Sequence, residues 1–190
     1  MTFELHHQYL QHIWDKKTYA SQNKHRSPIP DGILASESLF SVQAFATKKS
    51  NTKEKTFALI AIKRLEDELF AYRDAIKHRH EQYKLSWGDI TLTPYKPTVV
   101  NCDFDEKKLN SASAALIKIF QATDNLLIDI TRARRSGEFS HEAYQEYYQS
   151  EITHLRALIQ RVTKICLSFH QKRKELITEL SHEKQTSSRN

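Results

Sequence analysis

Lys48, Lys49, Lys53 and Lys55 form the densest basic cluster of the chain, interrupted by a single acid, Glu54. Cations beside a helix start add to the pull that its free backbone amides exert on an anion, and together they make a phosphate clamp. A solvated turn in front of a helix accounts for the same residues. A second cluster, Arg132, Arg134 and Arg135, falls in the last turn of a predicted helix, where the macrodipole alone favours cations. The third, Lys172, Arg173 and Lys174, reads first as the polar flank of an amphipathic helix.

Just before the first cluster, Ser38 to Ala46 alternates in character. Phe40, Val42, Ala44 and Ala46 fall on one side, and Leu39, Ser41, Gln43 and Phe45 on the other, which predicts a strand. A strand that presents Ser41 and Gln43 and runs into lysines and a helix start matches the ribbons that enter a DNA major groove while adjoining helix ends hold phosphates. Such a ribbon needs a dimer. Leu39 and Phe45 share the same face, as they would on a buried edge strand. The candidate DNA-contacting residues are therefore Ser41, Gln43, Lys48, Lys49, Lys53, Lys55, Arg132, Arg134 and Arg135.

Other chemistries find less support. None of the ten histidines makes an H-E-x-x-H pattern, and His78 and His80 would stand about 200° apart on a helix, so no metal site is expected. Asp103, Asp105 and Glu106 are the tightest group of acids, and a helix start explains them. Cys102 and Cys166 lie far apart, form no C-x-x-C pair and sit in apolar contexts where thiols are usually inert. The three glycines, Gly32, Gly88 and Gly137, each fall in a connection, so no glycine-rich loop exists for a nucleotide phosphate. The expectation is a binding protein and not an enzyme, with no catalytic residues, no cofactor and no small-molecule substrate.

The elements that must position these residues follow from periodicity. Leu5, Tyr9, Leu10, Ile13 and Trp14 predict a short amphipathic helix, followed by a linker ending in Ser27-Pro28-Ile29-Pro30-Asp31-Gly32. Asn51 with Glu54 signals a helix start, and Ala58, Ile62, Leu65, Leu69, Tyr72 and Ile76 carry that helix to about Lys84. After Gly88, Ile90–Pro94 and Thr98–Cys102 read as two short extended pieces that could form a small ribbon. Asp103 with Glu106 predicts the next helix start, and Leu109, Ala112, Leu116, Ile119, Thr123, Leu127 and Ile130 trace its face towards Gly137. Ser140 then caps a last helix with a seam from Tyr148 through Ile152, Leu155, Ile159, Val162, Cys166, Phe169 and Arg173 to Leu176 and Leu180. Its roughly 45 residues would extend about 65 Å, longer than a compact domain is wide, so its distal part is expected to pack on a second subunit.

The fold class predicted is mainly α with a small β element: long helices packed as a hairpin or coiled coil, with a short ribbon open to a ribbon-helix-helix arrangement. Residues 1–32 read as an N-terminal arm, 33–184 as a helical DNA-binding and dimerisation domain, and 185–190 as a polar tail. With 29 Lys and Arg against 23 Asp and Glu, the net charge of +6 suits an anionic partner without identifying it. No apolar run approaches the roughly 20 residues needed to cross a bilayer, and Met1 to Ala20 carries Glu4, Asp15 and three histidines in place of an export signal. A cytoplasmic, reducing location without membrane contact is expected.

The stretch from about Ser38 to Phe169 resembles the AcaB-type transcriptional regulators of conjugative plasmids and integrating conjugative elements. Three features carry the resemblance: the helix opening Ala58-Leu-Ile-Ala-Ile-Lys-Arg-Leu-Glu-Asp-Glu-Leu, the β-rich piece ending Pro97-Thr-Val-Val-Asn-Cys-Asp-Phe, and the helix-turn-helix run Ala122-Thr-Asp-Asn-Leu-Leu-Ile-Asp-Ile-Thr-Arg-Ala-Arg-Arg-Ser-Gly. Their order and spacing span roughly 130 residues. The resemblance implies a homodimer that binds double-stranded DNA upstream of a promoter and activates conjugative-transfer genes, without enzymatic activity. Where those regulators carry a His-Thr-Arg run in the opening strand, this chain has Val42-Gln43-Ala44-Phe45, so base contacts do not transfer. The alternative is a structural or adaptor protein of a conjugation system, whose seam from Tyr148 to Leu180 docks a partner helix.

Overall fold

The computed structural model describes residues 1–16, 30–49, 52–87 and 95–187, with side chains described as far as Thr178. In chain order the elements are β1 (Thr2–Leu5), α1 (Gln8–Trp14), α2 (Gly32–Ala46), α3 (Lys53–Trp87), β2 (Val100–Asp103), one 3-10 turn (Glu106–Lys108), α4 (Ser111–Arg135) and α5 (His141–Ser187). The fold is mainly α with a short antiparallel ribbon, in the class the sequence predicts.

Helix α4 organises the rest. Asn110 and Ser113 make a reciprocal capping box, each side chain bonded at 2.9 Å to the other's backbone N–H. The helix ends where Gly137 takes φ +83, so that Gly137 N–H reaches Arg134 O and Glu138 N–H reaches Ala133 O, satisfying carbonyls the last turn would leave open. Between these ends Ala115, Leu116, Ile117, Ile119, Phe120, Leu126, Leu127, Ile128, Ile130 and Ala133 are all buried, spread over more than half the circumference at about 100° per residue. A helix so widely apolar must be surrounded. The helix-turn-helix run expected at 122–137 is instead one continuous helix and its terminal turn.

Helix α3 lies parallel to α4, with Ser111 bonded to Glu66 and Asp129 to His80. It runs antiparallel to α5, from the Glu68–Arg161 pair through Arg79–Glu151 to the Tyr83–Tyr147 ring contact. Its buried stripe, Ala58, Ile62, Leu65, Leu69, Tyr72 and Ile76, is the one the sequence predicts, and it extends to Trp87. Thr52 stands at its start, its Oγ1 accepting from Lys55 N–H at 3.3 Å; Asn51 lies outside the described residues. Ser140 Oγ accepts from Ala143 N–H at 3.2 Å and opens α5, whose 47 residues make it about 70 Å long.

Three local expectations are corrected. The segment Ser38–Ala46 is the second half of helix α2, not a strand. Asp31 caps it by accepting from Leu34 N–H at 2.8 Å, and Ala35, Leu39, Val42 and Ala46 are buried at steps of four, three and four. Leu5 belongs to β1, not to the first helix, and β1 pairs with β2 in the register Thr2↔Asp103, Phe3↔Cys102, Glu4↔Asn101 and Leu5↔Val100. The expected ribbon partner, 90–94, lies outside the described residues. Asp103 ends β2 instead of starting a helix, and Asp105 caps the 3-10 turn by accepting from Lys107 N–H.

The segment read as an N-terminal arm contributes Phe3, Leu5, Leu10, Ile13 and Trp14 to the one core. Trp14 is wholly enclosed, edge-on to Phe3 and Phe120, and its Nε1–H donates to Asp103 O at 3.1 Å. Gly32 must be glycine, because any Cβ there would collide with the Trp14 ring. Asp124, buried on α4, fixes the β1–α1 corner. Its Oδ2 accepts from His6 N–H at 2.9 Å and meets His6 Nδ1 at 2.7 Å, and its Oδ1 does the same for His7 at 3.0 and 2.9 Å. An ionised carboxylate only accepts, so both rings present Nδ1–H to it.

Burial would raise the Asp124 carboxyl, but the hydrogen bonds from His7 and His6 outweigh it and hold the group below its ordinary value. A depressed carboxyl contributes stability that is complete above the unfolded value near pH 4 and is lost as pH falls through the folded value. Asp124→Ala should therefore cost about 3 kcal/mol in urea unfolding at neutral pH, since it leaves buried donors unpaired. It should also flatten the loss of stability below about pH 4. A variant as stable as the parent at pH 7 would show that the corner is held by packing alone.

Candidate nucleic-acid interface

The end of helix α2 meets the middle of α5 through one ring. Phe45, half-buried against the core, lies 5.7 Å from Phe169 between ring centroids. Lys48 Nζ sits 4.1 Å and the Arg173 guanidinium 4.4 Å from the Phe45 centroid. A cation held over an aromatic face is attracted by the negative charge of that face, so one phenyl ring gathers two cations from distant parts of the chain. One helical turn earlier, Ser41 Oγ lies 3.1 Å from His170 Nε2, residues 129 positions apart in sequence. The first and third basic clusters therefore share one end of the bundle.

Lys49 is exposed in the turn after α2, Lys53 is exposed in the first turn of α3, and Lys55 is half-buried there. One acid offsets them: Glu54 lies 3.5 Å from Lys48 Nζ, between partly exposed groups where such a pair is worth little. Ser41 and Gln43 stand elsewhere than expected. They are half-buried on helix α2, Ser41 turned to His170 and Gln43 with a buried Oε1 that has no hydrogen-bond partner among the described residues. No ribbon presents them to a groove.

The arginine cluster is at the opposite end. Helix α3 separates the two ends by about 50 Å, its 35 residues rising 1.5 Å each. Arg132 bonds Asp129 at 3.3 Å, Arg134 lies over Tyr144 at 4.7 Å and Arg135 over Tyr95 at 4.4 Å. Burial pushes the Asp129 carboxyl up, but His80, with help from Lys84 and Arg132, holds it below its ordinary value. Arg132 thus stays within α4, Arg134 reaches the first turn of α5 and Arg135 the approach to β2, the last two with exposed side chains.

Other titratable groups serve the packing. Arg79 grips the wholly buried Glu151 through two 2.8 Å bonds, a fork that matches both carboxylate oxygens. Burial pushes the Cys102 thiol up to about 11 and the Cys166 thiol up to about 12, so neither forms a thiolate at neutral pH. Among the described residues no three His, Cys, Asp or Glu side chains converge as metal ligands would. No described helix is long and apolar enough to cross a membrane.

Beside the basic end, a surface groove of about 130 Å³ runs between α3 and α5, lined by Phe57, Ile60, Ala61, Arg64, Ile165, Ser168, Phe169 and Lys172. Phe57 and Ile60 are 38% and 61% exposed. Sequence reading missed this groove and the role of Phe45, although Lys53, Phe57, Ile60 and Arg64 recur at the helical spacing that marks one face. Comparison with protein-family models, with curated proteins and with solved structures gives no match.

The joined clusters leave an electrostatic mark on His170. Burial first, then Arg173 and Lys174, push its imidazole below its ordinary value. Arg173→Gln should raise the His170 titration midpoint in an NMR pH series, while leaving it below that of a free histidine because burial remains. An unmoved midpoint would show that Arg173 does not sit against this ring in solution.

Proposed function

We propose that this chain is a DNA-binding transcriptional regulator that acts as a homodimer and holds double-stranded DNA by its phosphates at the basic end of the bundle. The observation that carries the reading is the Phe45 ring with Lys48 and Arg173 over it, which adds Arg173 to Lys48, Lys49, Lys53 and Lys55. Cations beside a helix start, with Lys48, Lys49 and Lys53 exposed among them, suit phosphate oxygens, and the spread of several of them over one end suits a polymer of phosphates more than a single ion. The resemblance to regulators of conjugative transfer points the same way and supplies the expectation of activation.

Ser41 and Gln43 have no place in this interface, and Arg132, Arg134 and Arg135 stand too far away to belong to it. Binding that rests on neutralised phosphates weakens steeply with salt, because each of them releases condensed counterions.

The test is fluorescence anisotropy with promoter-length duplex DNA across a salt series. The Lys48→Ala, Lys49→Ala double variant should bind weaker at every salt concentration. Its slope of log affinity against log salt should fall by about one unit for each phosphate that the missing lysines leave un-neutralised. Arg134→Ala with Arg135→Ala should bind as the parent does. Unchanged binding by the lysine variant would remove the clamp from this end, and no binding of duplex at low salt by the parent would favour an adaptor function.

A further inference from the structure

The groove beside the basic end is apolar at its floor and cationic at its rim. Ile165 and Phe169 come from α5, Phe57 and Ile60 from α3, and Arg64 and Lys172 stand among them. Neither Arg64 nor Lys172 has an ion-pair partner among the described residues. A duplex phosphate backbone would match the cations but would strand the exposed Phe57 and Ile60 against polar groups. An amphipathic helix with acids beside its apolar stripe would satisfy both.

The chain carries such a helix itself. The position of Arg173 over Phe45 marks the level at which α2 ends, and from there α5 runs on to Ser187 for about 20 Å. Glu175 is exposed there and Leu176 half-exposed, and the sequence continues with acids at Glu179 and Glu183. At about 100° per residue, Ile165, Ser168, Lys172 and Glu175 occupy one side of α5. That side therefore passes from a cation at Lys172 to an acid at Glu175 one turn later. Two such helices complement each other only when they run antiparallel, which is also what a two-fold axis across α5 produces.

We propose that two copies of the chain pair through this groove, the distal part of α5 from each copy lying antiparallel along the α3–α5 groove of the other, with Lys172 of one opposite Glu175 of the other. This rests on the homodimer proposed above and gives it an interface. The apolar part of the interface comes from Leu176 against Phe57 and Ile60, and the register comes from the charges. Each pairing occurs twice, because the same patch serves on both copies.

Sedimentation equilibrium of the full chain across micromolar concentrations tests this, with circular dichroism to confirm that each variant is folded. The parent should be a dimer. Ile60→Asp and, separately, Lys172→Glu should each raise the dissociation constant at least tenfold. Glu175→Lys should do the same, and the Lys172→Glu, Glu175→Lys double variant should recover most of the pairing. A parent that stays monomeric overturns this interface together with the homodimer of the proposed function. A dimer indifferent to Ile60→Asp and Lys172→Glu overturns the interface and leaves the homodimer standing. Failure of the double variant to recover overturns the antiparallel register.

Discussion

Helix α4 is apolar over more than half its surface, and nearly every other feature is a response to that constraint. Burying large aliphatic side chains stabilises the fold by about 25 cal/mol per Å² of surface withdrawn from water, so the helix has to be wrapped. Helices α2, α3 and α5 and the strand β1 all lie against it. The one carboxylate in its buried arc, Asp124, would be prohibitive if it were unpaired. It is met by two backbone amides and two imidazole Nδ1 atoms from His6 and His7, and the need for those four partners ties the first residues of the chain to the core.

The wrapping also decides which basic residues can meet. Helix α3 lies antiparallel to α5 and parallel to α4, so its start adjoins the middle of α5 while its end adjoins the end of α4. Lys48 and Arg173 are thereby brought to one ring, and Arg132, Arg134 and Arg135 are carried to the far end, where Asp129, Tyr144 and Tyr95 engage them. The separation is a consequence of topology and owes nothing to the charges themselves.

Helices α3 and α5 were legible because each buries a single stripe. Ala58, Ile62, Leu65, Leu69, Tyr72 and Ile76 on α3, and Ile152, Leu155, Ile159, Val162, Cys166 and Phe169 on α5, recur at three and four and are buried as that spacing requires. Helix α2 was misread because a short apolar run fits two periods at once. Phe40, Val42, Ala44 and Ala46 alternate, but Ala35, Leu39, Val42 and Ala46 step by four, three and four, and the Asp31 cap after Pro30 favours the second. The extended character of Val100–Asp103 was visible in its β-branched residues, whereas its partner, Thr2–Leu5, was not, because pairing across about a hundred residues leaves no local trace. The basic clusters were each legible as clusters. Which of them share a surface depends on Phe45, and a ring read as facing outward on a strand gave no hint of Arg173.

Lys172 and Arg173 are neighbours that serve different surfaces, because successive residues on a helix diverge by about 100°. Lys172 lines the groove and Arg173 lies over Phe45, so α5 is the common wall between the proposed pairing surface and the proposed DNA surface. A two-fold axis crossing α5 between residues 172 and 175 would set the basic ends of both copies close to that axis. Bringing two positive surfaces together costs Coulomb energy that salt screens only over about 10 Å at ordinary ionic strength. A polyanion laid across both ends removes that repulsion, so a ligand bound at the basic end favours the pair, and the pair by reciprocity favours the ligand. Pairing and DNA binding would then be linked through two adjacent side chains, and that linkage needs no change in the fold of either copy.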